Sequence, residues 1–146
     1  MPATTAPTTD FHQWTLDTAQ ALAERRFEDV DWELVIEELR GLAASERNEL
    51  KSHLAQLMYH MLKIQYQPER HGRSWDLSVR NHREEVLDLI ERQPSLKPLL
   101  RNKRFMSRAY GEALGESGKE NLPDSVATRF PDVCPFTLAV LLPELG

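Results

Sequence analysis

Apolar residues recur at every seventh position through the middle of this chain. Ile36, Ala43, Leu50, Leu57 and Ile64 form one series, and Trp32 with Leu39 begins a second. Seven residues make nearly two turns of α-helix, so these side chains fall on one stripe of one helix. The stripe keeps its phase across Gly41, and the spacing predicts a single helix from Asp31 to about Tyr66. At about 1.5 Å per residue it would be roughly 54 Å long. Gly41–Ala44 is where it would kink, since glycine costs about 1 kcal/mol in a helix interior. Pro68 and Gly72 end the element and reverse the chain.

The remaining segments read as shorter helices. Asp10 caps a first one from Phe11 to about Arg26, with Phe11, Trp14, Thr18 and Leu22 on one face. After the reversal, Ser74 is the predicted cap of a helix to about Arg92 with Trp75, Val79, Val86 and Ile90 inward, and Pro94 stops it. Ser95 opens a further helix through Leu99, Leu100, Met106 and Tyr110 to Leu114, closed by Gly115. Residues 115–124 read as a polar loop. Pro131, Pro135 and Pro143 leave room only for a short C-terminal helix packed by Phe136, Leu138 and Leu141. No segment alternates convincingly as a strand. The fold class is all-α, a helical bundle of about four main helices around one long central helix with a short C-terminal helical tail.

With 146 residues, 40% of them hydrophobic and 28% charged, residues 10–146 suffice for one globular domain behind a flexible tail of residues 1–9. That Pro- and Thr-rich tail has no signal-peptide pattern, and no apolar run is long enough to cross a bilayer. The expectation is a soluble cytoplasmic protein without a membrane role. One cysteine, Cys134, rules out an internal disulfide or a multi-cysteine metal cluster. The net charge of −5 gives no overall footprint for nucleic acid. It is polarised, however. Residues 1–69 carry 6 Lys/Arg against 12 Asp/Glu, whereas residues 70–108 carry 10 against 5. Acidic and basic helices screening one another account for this with fewest assumptions. A basic face of Arg70, Arg73, Arg80, Arg83, Arg101 and Arg104 for nucleic acid is the sharper alternative.

The long stripe has a chemical irregularity. Beyond Leu39, the second series continues as Glu46, His53 and His60, ionisable residues where a bundle expects leucine. Ordinarily such a histidine satisfies a hydrogen bond at a half-exposed seam. Residues seven apart are separated by about 10.5 Å along the axis, too far for His53 and His60 to hold one metal ion. Antiparallel pairing across the reversal sets His60 level with His82. With Glu38 or Glu46, these two histidines would resemble a bundle metal site, so the metal-ligating candidates are Glu38, Glu46, His53, His60 and His82. No His-Glu-x-x-His or Glu-x-x-His signature accompanies them.

The turn from Gln67 to Trp75 is the densest run of distinctive residues. His60, Gln67, Arg70, Arg73 and Trp75 are the binding candidates, because arginine forks beside an indole suit carboxylate or phosphate. A turn anchored by Trp75 explains the same residues structurally. No phosphate loop, nucleophile elbow or diagnostic carboxylate pair occurs, so no catalytic residue and no cofactor is implied. Cys134, flanked by Val133 and Pro135, reads as a small packed hydrophobe.

Asp10-Phe11 with Trp14, Arg26-Phe27, Asp31-Trp32-Glu33, Glu37-Glu38, Ser45-Glu46-Arg47, His60-Met61-Leu62-Lys63, Gln67-Pro68, Arg73-Ser74-Trp75, Pro94-Ser95-Leu96, Phe130-Pro131 and Cys134-Pro135 follow one another in order. In this arrangement the chain resembles the bacterial helical family catalogued as domain-of-unknown-function family 29. The resemblance implies a compact helical bundle and no established activity. His12 and His82 stand where that family more typically has an aromatic residue and glutamine, which weakens a His60–His82 metal site as a family property. Three functions remain open: an interaction module that packs helices with itself or another protein, an enzyme or metal protein built on His60, and weak nucleic-acid association. The long amphipathic helix and the lack of catalytic signatures favour the first.

Overall fold

The computed structural model describes residues 9–145. The predicted flexible tail falls almost wholly outside them. Among the described residues the regular structure is helical throughout, with α1 (Phe11–Ala23), α2 (Trp32–Tyr66), α3 (Arg73–Arg92), α4 (Lys103–Lys119) and the single turns α5 (Asp124–Ala127) and α6 (Leu138–Leu141). The hydrogen-bonded helix of α2 continues through Gly41 without a break, 35 residues in all. The chain divides into two compact units, one up to Ala44 and one from Ser45 onward, and α2 contributes to both. No helix among the described residues is long and apolar enough to cross a membrane.

In the first unit, Asp10 caps α1 by accepting from the Gln13 N–H at 3.0 Å. The helix ends at Ala23, short of Arg26, because Arg25 turns left-handed at φ 57°. The Arg26 N–H then reaches the Ala21 carbonyl at 2.8 Å and the Arg25 N–H the Leu22 carbonyl at 3.1 Å. This pair of backbone bonds satisfies carbonyls that a helix end otherwise strands. The Arg26 side chain then bonds Glu24 at 2.7 Å and Asp29 at 2.9 Å, holding a 3-10 turn over Phe27–Asp29. Asp31 caps α2 through the Leu34 N–H at 3.2 Å. Trp14, Thr18, Ala21 and Val30 are buried, whereas Phe11 is half exposed and stacks on Trp14.

In the second unit, α2 buries Leu50, Leu54, Leu57, Met58 and Leu62 in one core with Val86 and Leu89 of α3, Ala109 and Ala113 of α4, and Leu141 and Leu142 near the C-terminus. Each fully buried leucine contributes about 1.5–3 kcal/mol relative to exposure. The local sequence expectations need three corrections here. Gly72, not Ser74, precedes α3 as its N-cap, so the helix starts one residue before the predicted cap. The helix expected from Ser95 to Leu114 is two elements, a 3-10 stretch Pro94–Arg101 and then α4. Asn102 divides them, because its side chain accepts from the Phe105 N–H at 2.9 Å and starts a new helix. The segment expected as a loop from Gly115 is helical to Lys119, since the helix ends only at left-handed Asn121 (φ 52°). The short tail helix α6 is as predicted, capped by Thr137, with Leu141 buried.

Candidate functional site

The polar residues on the stripe of α2 meet α3 in a row of three histidines. The His53 Nδ1 lies 3.1 Å from the His82 Nδ1, and the His60 ring centroid is 6.0 Å from that of His82. His82 thus sits between the two α2 histidines and spans the gap that keeps them from meeting directly. The hairpin brings His60 and His82 together as its register predicts, but with His53 in hydrogen-bond contact instead. The 3-10 turn Pro68–Arg70 lies within the reversal. The His60 Nδ1–H donates to the Gln56 carbonyl at 2.8 Å, one helical turn back. Glu46 accepts from the Gln93 amide at 2.6 Å, and Glu38 lies in the first unit. Among the described residues no group of three or more His, Cys, Asp or Glu side chains is placed to hold a metal ion.

Burial holds His60 below the usual histidine range. Burial does the same to His82, and the neighbouring His53 and His60 would add repulsion to its charged form. Both groups therefore bind their proton more readily in the unfolded chain, whose pKa is near 6.5. Stability is unaffected above that value and falls as the pH drops below it. Thermal melts between pH 7.5 and 5 are expected to show this loss, and His82→Gln is expected to make it shallower. An unchanged slope in His82→Gln would exclude the row as its source.

A second polar group lies further along α2 and escaped sequence reasoning. Lys63 is only 4% exposed. Its Nζ sits 4.7 Å above the Tyr59 ring and 4.8 Å above the Trp75 ring, and 3.1 Å from the Glu120 carboxylate. The Tyr59 hydroxyl donates to the same carboxylate at 2.8 Å. Burial and this hydrogen bond raise the Tyr59 pKa. For Glu120, partial burial disfavours the charge, but Tyr59 and Lys63 outweigh it and hold the carboxyl below its usual range. The signal in the sequence is a lysine four residues after a tyrosine, on a buried helix face. Its carboxylate comes from 57 residues away, in a segment that reads as loop.

The Gln67–Trp75 turn divides between interior and surface. Gln67 is 1% exposed and its Nε2 finds no hydrogen-bond partner among the described residues, while Trp75 is half-buried under Lys63. Arg70 and Arg73 are exposed. Of the other basic residues in this region, Arg80 pairs with Glu84 at 3.1 Å, and Arg83 donates to the Leu141 and Val140 carbonyls at 2.8 and 3.0 Å. Arg83 therefore serves as a C-terminal clamp on α6 rather than as a free cation. Beside it, a cleft of about 590 Å³ is lined by Met58, Leu100, Met106, Tyr110, Cys134 and Phe136 among others. The Cys134 thiol donates to the Phe136 carbonyl, and burial pushes its pKa up, which keeps it a thiol.

The first unit leaves a row of apolar side chains of α2 exposed. Trp32, Ile36, Leu39 and Leu42 of α2 are 47%, 45%, 60% and 65% exposed, with Ala43 exposed alongside. Phe27, also half exposed, has its ring 6.2 Å from that of Trp32. The seven-residue series that is core at Leu50 and Leu57 is bare at Ile36 and Ala43. Neighbouring Glu33, Glu37 and Arg40 border a shallow depression around Ile36.

Residues 8–144 match a protein family described as domain of unknown function DUF29. No curated protein and no solved structure matches the chain.

Proposed function

The chain belongs to the DUF29 family, and on that premise we propose that it is a cytoplasmic protein-interaction module that binds by helix packing through the bare apolar face of α2. One observation carries the reading: Trp32, Ile36 and Leu39, spaced to make a helix seam, lie together on one helix face with flanking Leu42, each 45–65% exposed. Scattered surface leucines are ordinary, but a contiguous row in seam register is the pattern of a helix partner site. The alternative of an enzyme or metal protein centred on His60 has less support, because among the described residues no group of three or more His, Cys, Asp or Glu side chains gathers there to hold a metal ion. Nucleic-acid binding likewise loses Arg80 and Arg83 to contacts within the protein.

A photoreactive amino acid in place of Leu39, tested in the cells that make the protein, examines this directly. Irradiation is expected to yield a discrete protein adduct from position 39 and none from the exposed position of Asn48. Absence of any protein adduct at position 39 would overturn the proposal.

A further inference from the structure

The bare face of α2 has a charge and shape pattern that specifies its occupant. Placing Ile36 and Ala43 at heptad position a and Trp32 and Leu39 at d puts Glu33 and Arg40 at e, and Val35 and Leu42 at g. In an antiparallel pair, a faces d′, e faces e′ and g faces g′. Two copies of this segment related by a twofold axis near residues 37–38 would set Ile36 against Leu39′ and bulky Trp32 against small Ala43′. Along one flank, Glu33 meets Arg40′ twice; along the other, Val35 meets Leu42′ twice. Every contact made by one copy is returned by the other, the defining property of an isologous interface.

We infer that α2 pairs with α2 of a second copy of this chain, antiparallel across Trp32–Ala43. The inference rests on the interaction reading above and names the partner. A parallel pair would set Val35 against Arg40′, leaving the cation over an apolar side chain and Glu33 unmatched. A basic amphipathic helix would suit the acidic surplus of this unit, but it would bring positive charge against Arg40. Among the described residues neither the Glu33 nor the Arg40 side chain makes a hydrogen bond or ion pair, so both are free to cross the interface. The pairing stops at Ala43, because the next seam residue, Glu46, is engaged by Gln93.

Sedimentation equilibrium of the full chain at tens of micromolar tests this. The wild type is expected to be a dimer. Leu39→Glu appears twice in the interface and is expected to weaken association about 100-fold or more. Arg40→Glu removes two ion pairs and introduces two repulsions, weakening association by about tenfold. The double variant Glu33→Arg/Arg40→Glu restores complementarity and is expected to recover most of the wild-type affinity. These residues lie on the surface, so circular dichroism should show each variant folded. A wild-type monomer that still forms an adduct with a different protein at position 39 would overturn self-pairing and leave the interaction reading standing. A monomer without any adduct would overturn both. A dimer whose double variant stays as weak as Arg40→Glu would overturn the antiparallel register.

Discussion

Leu57→Ala is expected to lower stability by about 3 kcal/mol, and Leu39→Ala to change it by less than about 0.5 kcal/mol. Both leucines belong to the seam of α2, and both read as interior from the sequence. Leu57 is fully enclosed by the core of the second unit, so truncation removes the transfer energy of its methyl groups and leaves a cavity that the packed neighbours fill only in part. Leu39 is 60% exposed, and its truncation creates no cavity. Urea denaturation of the two variants, at a concentration low enough to keep the chain monomeric, checks the contrast. Comparable losses would mean that the Leu39 side chain is covered in the monomer, which would also remove the basis for a docking face there.

Glu120→Ala is expected to cost about 2 kcal/mol, while Lys63→Met is expected to stay within about 1 kcal/mol of the wild type. The asymmetry follows from where each charge sits. Removing the carboxylate strands a nearly enclosed ammonium group and takes the acceptor from the buried Tyr59 hydroxyl. Removing the ammonium eliminates the buried charge altogether, and methionine can follow the lysine stem between the Tyr59 and Trp75 rings. The cost at Glu120 lies below the usual 3–5 kcal/mol for a broken buried pair by roughly half. Its side chain is 45% exposed, so water can partly take its place. Because the folded state holds the Glu120 carboxyl below its ordinary pKa of 4.5, its contribution is present above that value and lost as the pH falls through the folded one. The wild type and Glu120→Ala curves should therefore converge in acid. A Lys63→Met loss larger than that of Glu120→Ala would show that the cation itself, not its satisfaction, supports the fold.

Local sequence signals located α2 closely, because a repeat sustained from Ile36 to Ile64 admits one regular structure and Asp31 and Pro68 bracket it. Caps were legible where one short polar side chain competed for the role, as at Asp10 and Asp31. They were misread at Ser74 and Ser95, where Gly72 and Asn102 begin the helices instead. The left-handed ends at Arg25 and Asn121 gave no warning, since neither position carries the glycine that usually marks such a turn.

At the candidate sites the same division holds. The periodicity of α2 determined that Glu46, His53 and His60 share a stripe with leucines, and the reversal at Pro68 determined that His82 would come near them. Whether His82 would touch His53 or His60 depended on hairpin register, which the tertiary structure set, with His53 in contact. The Lys63–Glu120 pair was invisible for a related reason: its partners are brought together by α4 packing on α2, and no local pattern encodes a contact across 57 residues. Sequence periodicity specifies which face of a helix is apolar, because side-chain direction follows from backbone geometry alone. What covers that face depends on where other segments are placed, so only the tertiary structure decided that Leu57 is core and Leu39 is bare.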